Sequence, residues 1–225
     1  MRPARVLLVL RPRRKREKYG SMKLLVATGN RHKVREVAQI LAHENIDVIS
    51  PEAIGGLPEV EEDGETFCAN AVKKAVVCAD AAGVPVFADD SGLEVAALDG
   101  RPGVRSARYA GEQAADADNV RKLLQELQGA EDRRACFVCV IAVAVPAGLI
   151  GTAHGRVCGT ITDAPRGDGG FGYDPVFVPD GYKTTFAELD SESKNRMSHR
   201  ANALRTACRQ GLFARVRDVC DRSGR

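Results

Sequence analysis

Val84-Pro85-Val86-Phe87-Ala88-Asp89-Asp90-Ser91-Gly92-Leu93 is the stretch from which the fold of this chain is read. An apolar run delivers two adjacent carboxylates to its end, and Ser91-Gly92 reads as a turn. Buried strands of α/β proteins present ligands in this way, at the rim of a sheet. Two neighbouring acids repel each other unless something positive lies beside them: a divalent cation, a lysine or a shared proton. An isolated Asp-Asp is more often a solvated turn, so the meaning of the pair depends on its surroundings.

Upstream, a helix with Cys68, Ala71, Val72, Ala75, Val76 and Ala79 on one face leads into this strand. Further back, Lys23-Leu24-Leu25-Val26-Ala27 reads as a short buried strand that breaks at Thr28-Gly29-Asn30. A helix follows with Val34, Val37, Ala38 and Leu41 in register, then a strand over 46–49, loop over 51–58 and an acidic stretch over 59–65. Downstream, 93–98 reads as a returning strand and 101–111 as loop. Val120, Leu123, Leu124 and Leu127 mark another helix. A long apolar strand over 135–145 has a hairpin partner near 149–158, a glycine cluster follows at 167–170, and the chain is helical from about Lys194. Strands and helices interleave without repeats, which predicts one α/β unit, and the hairpin predicts a mixed sheet.

The chain has 225 residues, 44% apolar and 28% charged, enough for one sizeable core. No apolar run approaches the roughly 20 residues that span a bilayer. The net charge of +3 hides an asymmetry: residues 1–21 hold eight Lys/Arg and one Glu, so the other 204 sum to −4. A mildly acidic body argues against a nucleic-acid face and suits a protein that meets anions in a local pocket. Residues 1–21 read as a disordered basic extension, or as sequence ahead of a start at Met22, and 22–225 as the single domain. Seven cysteines without a secretory signal predict reduced thiols and a cytoplasmic protein. Cys136 and Cys139, three apart on a strand, point to opposite faces and are not expected to pair or to bind zinc.

Three segments carry chemistry. Thr28-Gly29-Asn30 joins a strand to a helix, where glycine admits a ligand and the free N–H groups of the helix suit phosphate, with Lys33 in reach. An ordinary capped turn would look similar, with Asn30 as the cap. Phe171-Gly172-Tyr173-Asp174-Pro175 offers aromatic rings to a base and a carboxylate to a base or sugar, or else packs as a tight turn. Lys194 and Ser198-His199-Arg200 bring cations to a helix start, where they oppose the macrodipole unless an anion or a carbonyl-rich ligand sits there.

Taken in order, Thr28-Gly29-Asn30-x-x-Lys33, Ala88-Asp89-Asp90-Ser91-Gly92-Leu93, Pro102-Gly103-Val104-x-Ser106-Ala107-Arg108-Tyr109, Phe171-Gly172-Tyr173-Asp174-Pro175, and Lys194 with Ser198-His199-Arg200 closely resemble the inosine triphosphate pyrophosphatase (Ham1-like) family. The resemblance covers nearly everything after Met22. It implies magnesium-dependent hydrolysis of ITP, dITP and XTP to the monophosphate and pyrophosphate. It also implies an elongated, twisted mixed sheet flanked by helices, in two lobes around a central cleft, and a homodimer. By the same resemblance Asp90 is the catalytic carboxylate and a metal ligand, with Glu59 as the second ligand and Glu61, Glu62 and Asp63 as close rivals. Thr28, Gly29, Asn30, Arg31, His32, Lys33 and Ser91 fall on the substrate side, and Phe171, Gly172, Tyr173, Asp174, Lys194, His199 and Arg200 on the nucleotide pocket. Asp90 can position the water, and Asp89 can share the task. Arg200 has donors only, so it suits the 6-oxo group of hypoxanthine and xanthine and not the amino group of adenine. No nucleic acid and no membrane are expected as partners.

Overall fold

The computed structural model describes residues 22–42 and 46–223; the basic segment 1–21 lies outside the described residues. Six strands form one sheet in the order β2-β1-β3-β4-β5-β6. β1 (Met22–Val26), β2 (Ile46–Ile49) and β3 (Val86–Val95) run parallel, and β4 (Arg134–Val145), β5 (Gly148–Ile161) and β6 (Phe177–Pro179) continue antiparallel from β3. The mixed sheet and the 135–158 hairpin are as the sequence predicts.

Helix α1 (Arg31–Leu41) packs Val37 and Leu41 inward, and α2 (Phe67–Ala82) lays Ala71, Ala75 and Ala79 on the sheet. Small residues at that spacing let α2 lie close to β3 and β4. α3 (Asp116–Glu126) buries Val120 and Leu123. The C-terminal region is three helices: α4 (Ser191–Met197), α5 (His199–Arg209) and α6 (Leu212–Ser223). Two cores sandwich the parallel half of the sheet, one under α1, α5 and α6 and one under α2. A third core gathers Leu93, Val95, Leu123, Phe137, Phe177 and Phe186 into a second lobe.

Three expectations are corrected. Ser91-Gly92 is not a turn, and 93–98 is not a separate strand: β3 runs unbroken for ten residues, and 96–98 is a 3₁₀ turn. The acids nevertheless stand at a rim, that of β1. The β1–β3 ladder ends at Val26↔Phe87, after which β1 turns away into α1 and leaves the Asp89–Leu93 flank of β3 unpaired on that side. Two of the seven cysteines are not thiols: Cys136 and Cys158 oppose each other in the β4–β5 register and form a disulfide. Cys139 lies buried in the core under α5, so it does not pair with Cys136, as expected.

Gly92 is dictated by the 3₁₀ segment Gly103–Arg108 that crosses it. A Cβ at Gly92 would stand 2.4 Å from the Gly103 carbonyl oxygen and 2.4 Å from Ser106 Oγ. Ser106 accepts from Leu93 N–H at 2.8 Å and donates to the Gly103 carbonyl at 2.6 Å, clipping that segment to β3. Gly92→Ala should therefore destabilise the fold by about 1–3 kcal/mol, the usual cost of overpacking. A urea midpoint equal to that of the parent would contradict this contact.

Candidate active site

Adjacent residues on a strand face opposite ways, and this separates the two carboxylates. Asp89 points toward α1 and α5, Asp90 toward α2. Asp89 is fully buried and pairs with Lys33 Nζ at 3.1 Å and with Arg200 Nη2 at 3.0 Å. Burial opposes its ionisation, but Lys33 and Arg200 win and hold its pKa far below the usual carboxylate range. Asp90 is 5% exposed and meets only neutral donors: Asn70 Nδ2 at 3.0 Å and the Ser91 N–H at 2.9 Å. Among the described residues it has no cation at ion-pair distance. Burial raises its pKa, the Asn70 hydrogen bond opposes the rise, and Glu62 adds to it.

Asp90 and Ser91 line a cavity between the lobes together with Asn30, Lys33, Glu62, Ser106, Asp116, Phe171–Asp174, Lys194, His199 and Arg200. The structure thus brings together most of the residues singled out in the sequence. Glu59 is not on this wall. Pro58, Val60 and Glu62 line a second cleft under Thr28 and Gly29, and Glu62 lines both; Glu59, Glu61 and Asp63 alternate outward and are exposed. Of the acidic run, Glu62 is the carboxylate beside Asp90, held by an ion pair to Lys74. In an extended segment the choice among neighbouring acids is a matter of parity, which the sequence of this loop does not reveal.

The turn at 28–33 is more occupied than its sequence suggests. Asn30 Oδ1 caps α1 by accepting from the His32 and Lys33 N–H groups, so two of the donors expected for phosphate are taken. The Lys33 ammonium remains on the cavity wall, and the space beside Gly29 where a Cβ would stand is open. Arg31 and His32 are exposed on the first turn of α1.

Across the cleft, His32 stacks on Phe171 with centroids 5.5 Å apart, and Lys194 Nζ lies 4.7 Å over the same ring. Lys194 pairs with Asp174 Oδ2 at 2.6 Å and with Glu36 Oε1 at 2.8 Å, and Glu36 also pairs with Arg200. A largely buried chain of alternating charge therefore runs Lys33–Asp89–Arg200–Glu36–Lys194–Asp174. Glu36, absent from the sequence-based expectations, joins its two halves, and Arg200 and Lys194 lower its pKa against burial. Its signal was available: it sits three residues after Lys33, on the same face of α1.

The chain limits what its members can offer a ligand. Arg200 spends Nε and Nη2 on Asp89, Nη2 also on Ser91, and Nη1 on Glu36, which leaves one of its five N–H groups. A bidentate contact to a base is not available while the chain is intact. Asp174 is 2% exposed and already accepts from Lys194 and from the Phe171 N–H. The Tyr173 hydroxyl donates to the Ser106 carbonyl at 2.9 Å, which ties the 171–174 turn to the segment over Gly92. The Gly172 N–H donates to Asp116, a further cavity residue outside the sequence-based set. His199 is 6% exposed, stacks on Phe137 at 4.8 Å, and burial with the adjacent Arg200 keeps it neutral.

The sequence profile of the Ham1 family matches residues 24–210. The chain is 52% identical over 181 residues to the dITP/XTP pyrophosphatase of Desulfotalea psychrophila, covering 80% of this chain and 81% of that one. It is 49% identical over 183 residues to the dITP/XTP pyrophosphatase of Bacillus subtilis, covering 80% and 92%. Among solved structures, the Staphylococcus aureus Ham1 protein superposes with a TM-score of 0.74 at 42% identity, over 84% of this chain and 98% of that one.

Proposed function

The chain belongs to the Ham1 family, and from that membership we propose that it hydrolyses non-standard purine nucleoside triphosphates (dITP, ITP and XTP) to the monophosphate and pyrophosphate. The observation that carries the reading is the division between the two acids. Asp89 is neutralised by Lys33 and Arg200 and organises the cleft, while Asp90 is oriented by neutral donors beside Glu62, with no cation of the described residues at ion-pair distance. Two hard oxygen donors next to an anion-binding lysine fit magnesium, which takes one or two carboxylates and leaves its other positions to water and phosphates. Asp90 with an acid of the 59–63 run would hold the ion, and Glu62 is the better placed of these. Bound there, magnesium supplies charge neutralisation on the polyphosphate.

The protein's own groups do the rest. Lys33 faces the phosphates from the first turn of α1. Asp90 orients a water toward the α-phosphorus, and the cleft walls hold that phosphorus in line with it. Phe171, contacted by Lys194 and His32, is the platform for the base, and neutral His199 offers the cavity a hydrogen-bonding ring without added charge. The cavity, about 150 Å³, is below the roughly 300–1,000 Å³ of small-molecule sites. Admission of a nucleotide therefore calls for a wider cleft than this one.

We read 22–225 as one catalytic domain acting in the cytoplasm as a homodimer, with magnesium as its ion. No helix among the described residues is long and apolar enough to cross a membrane. The test is purified protein against ITP, dITP, XTP, GTP and ATP with pyrophosphate detection, with and without magnesium. Release of pyrophosphate from the 6-oxo non-standard substrates well ahead of ATP, abolished by chelation, is the expected result. Release of orthophosphate, or equal rates on all five, would overturn the reading.

A further inference from the structure

The Asp90 carboxylate is held by a side chain from α2. Asn70, in the first turn of α2, is 1% exposed. Its Nδ2 donates to Asp90 Oδ2 at 3.0 Å and to the Gly64 carbonyl at 3.4 Å, and its Oδ1 accepts from the Gly64 N–H at 2.7 Å. One amide thus joins the buried strand β3 to the loop that carries Glu62, two residues before Gly64. The fit is tight on the loop side: a Cβ at Gly64 would stand 2.6 Å from Asn70 Oδ1 and 2.9 Å from Ala69 Cβ.

The type of donor matters as much as its place. A lysine or arginine at this position would orient Asp90 but also cancel its charge, as happens to Asp89. An amide orients the carboxylate without pairing its charge. We propose that Asn70 is a positioning residue for the divalent cation: by clamping Asp90 and the Gly64 loop together, it sets the spacing of the Asp90 and Glu62 carboxylates that receive the ion. The proposal rests on the pyrophosphatase reading of this cleft and adds to it the element that tunes metal affinity. Groups that orient first-contact ligands commonly change metal affinity 10- to 100-fold when removed.

The test uses the full chain and two variants, Asn70→Ala, which removes the amide, and Gly64→Ala, which keeps the amide but pushes the loop off it. Mn2+ binding is followed by electron paramagnetic resonance without nucleotide, and magnesium half-saturation by ITP turnover. Each variant should bind Mn2+ about 10-fold more weakly and need about 10-fold more magnesium, with KM for ITP near the parent value once magnesium saturates. A purely structural residue would lower the folded fraction and leave the Mn2+ affinity of the folded protein unchanged. Affinity within about twofold of the parent in either variant that still unfolds cooperatively overturns the proposal. Loss of the fold in both variants also overturns it, because it assigns the amide to the scaffold. If the parent fails to release pyrophosphate from ITP, the functional reading falls, while the Mn2+ titrations still decide the role of Asn70.

Discussion

Asp90→Asn should reduce turnover of ITP at least ~10²-fold while leaving the protein folded. The substitution keeps the shape and removes the charge that the metal and the attacking water depend on. Losing a group that acts on both usually costs that much or more. The new amide would also face the Asn70 amide, so one of the two must turn its oxygen inward, a local rearrangement and not a core defect. Turnover near the parent value, or turnover undiminished by chelator, would refute the assignment of Asp90. Asp89→Asn is the informative companion: its damage should appear first in the urea midpoint, because Lys33 and Arg200 lose their shared counter-charge.

Arg200→Ala should cost about 3–5 kcal/mol of stability, the usual effect of removing one partner from a buried ion pair. Arg200 is 1% exposed, Asp89 fully buried, and Glu36 would retain only Lys194. The pH dependence follows from Asp89. Its pKa is depressed in the folded state, so its contribution is present above the unfolded carboxylate pKa near 4 and is lost as pH falls further. The variant should therefore lose less stability than the parent between neutral pH and acid, and unequal slopes of midpoint against pH would be the signature. Kinetics at a temperature where the variant is folded add a second readout. With one N–H left, Arg200 can give a 6-oxo base a single hydrogen bond, so the ITP/ATP ratio of kcat/KM should narrow while ITP/GTP holds. Equal slowing on ITP, GTP and ATP would make Arg200 scaffold alone.

Much of this was readable from residues alone, for reasons that can be stated. The β1–turn–α1 unit was legible because its apolar period changes from a continuous run to i, i+3, i+4, i+7 at Thr28-Gly29-Asn30. The β4–β5 hairpin was legible because 135–145 is too long and too β-branched to be loop. The Ser91-Gly92 break was misread because glycine in a strand and glycine in a turn look alike. Here the absent side chain makes room for the Gly103–Arg108 segment. The disulfide was missed because pairing of Cys136 with Cys158 depends on hairpin register, which loop length and a bulge near Val143 decide together. Glu36 and Asn70 were missed for a common reason: each serves the site from a helix whose inward face was assigned to packing. A polar residue at a core position of such a helix, with an acid or a lysine predicted opposite, is the sign to look for.

The alternating charge chain also bears on when the protein becomes competent during synthesis. One inner link, Glu36, finds its partners 158 and 164 residues later, in Lys194 and Arg200. At translation rates of roughly 5–20 residues per second, α1 leaves the ribosome about 8–30 s before α5 exists to meet it. In that interval Lys33 can meet Asp89 on β3, but Glu36 stands on its helix without either of its cations, and the parallel strands can pair without creating a nucleotide pocket. A ribosome-bound or truncated chain thus has the motif and lacks the site, and nucleotide can rescue only the finished polypeptide from unfolding.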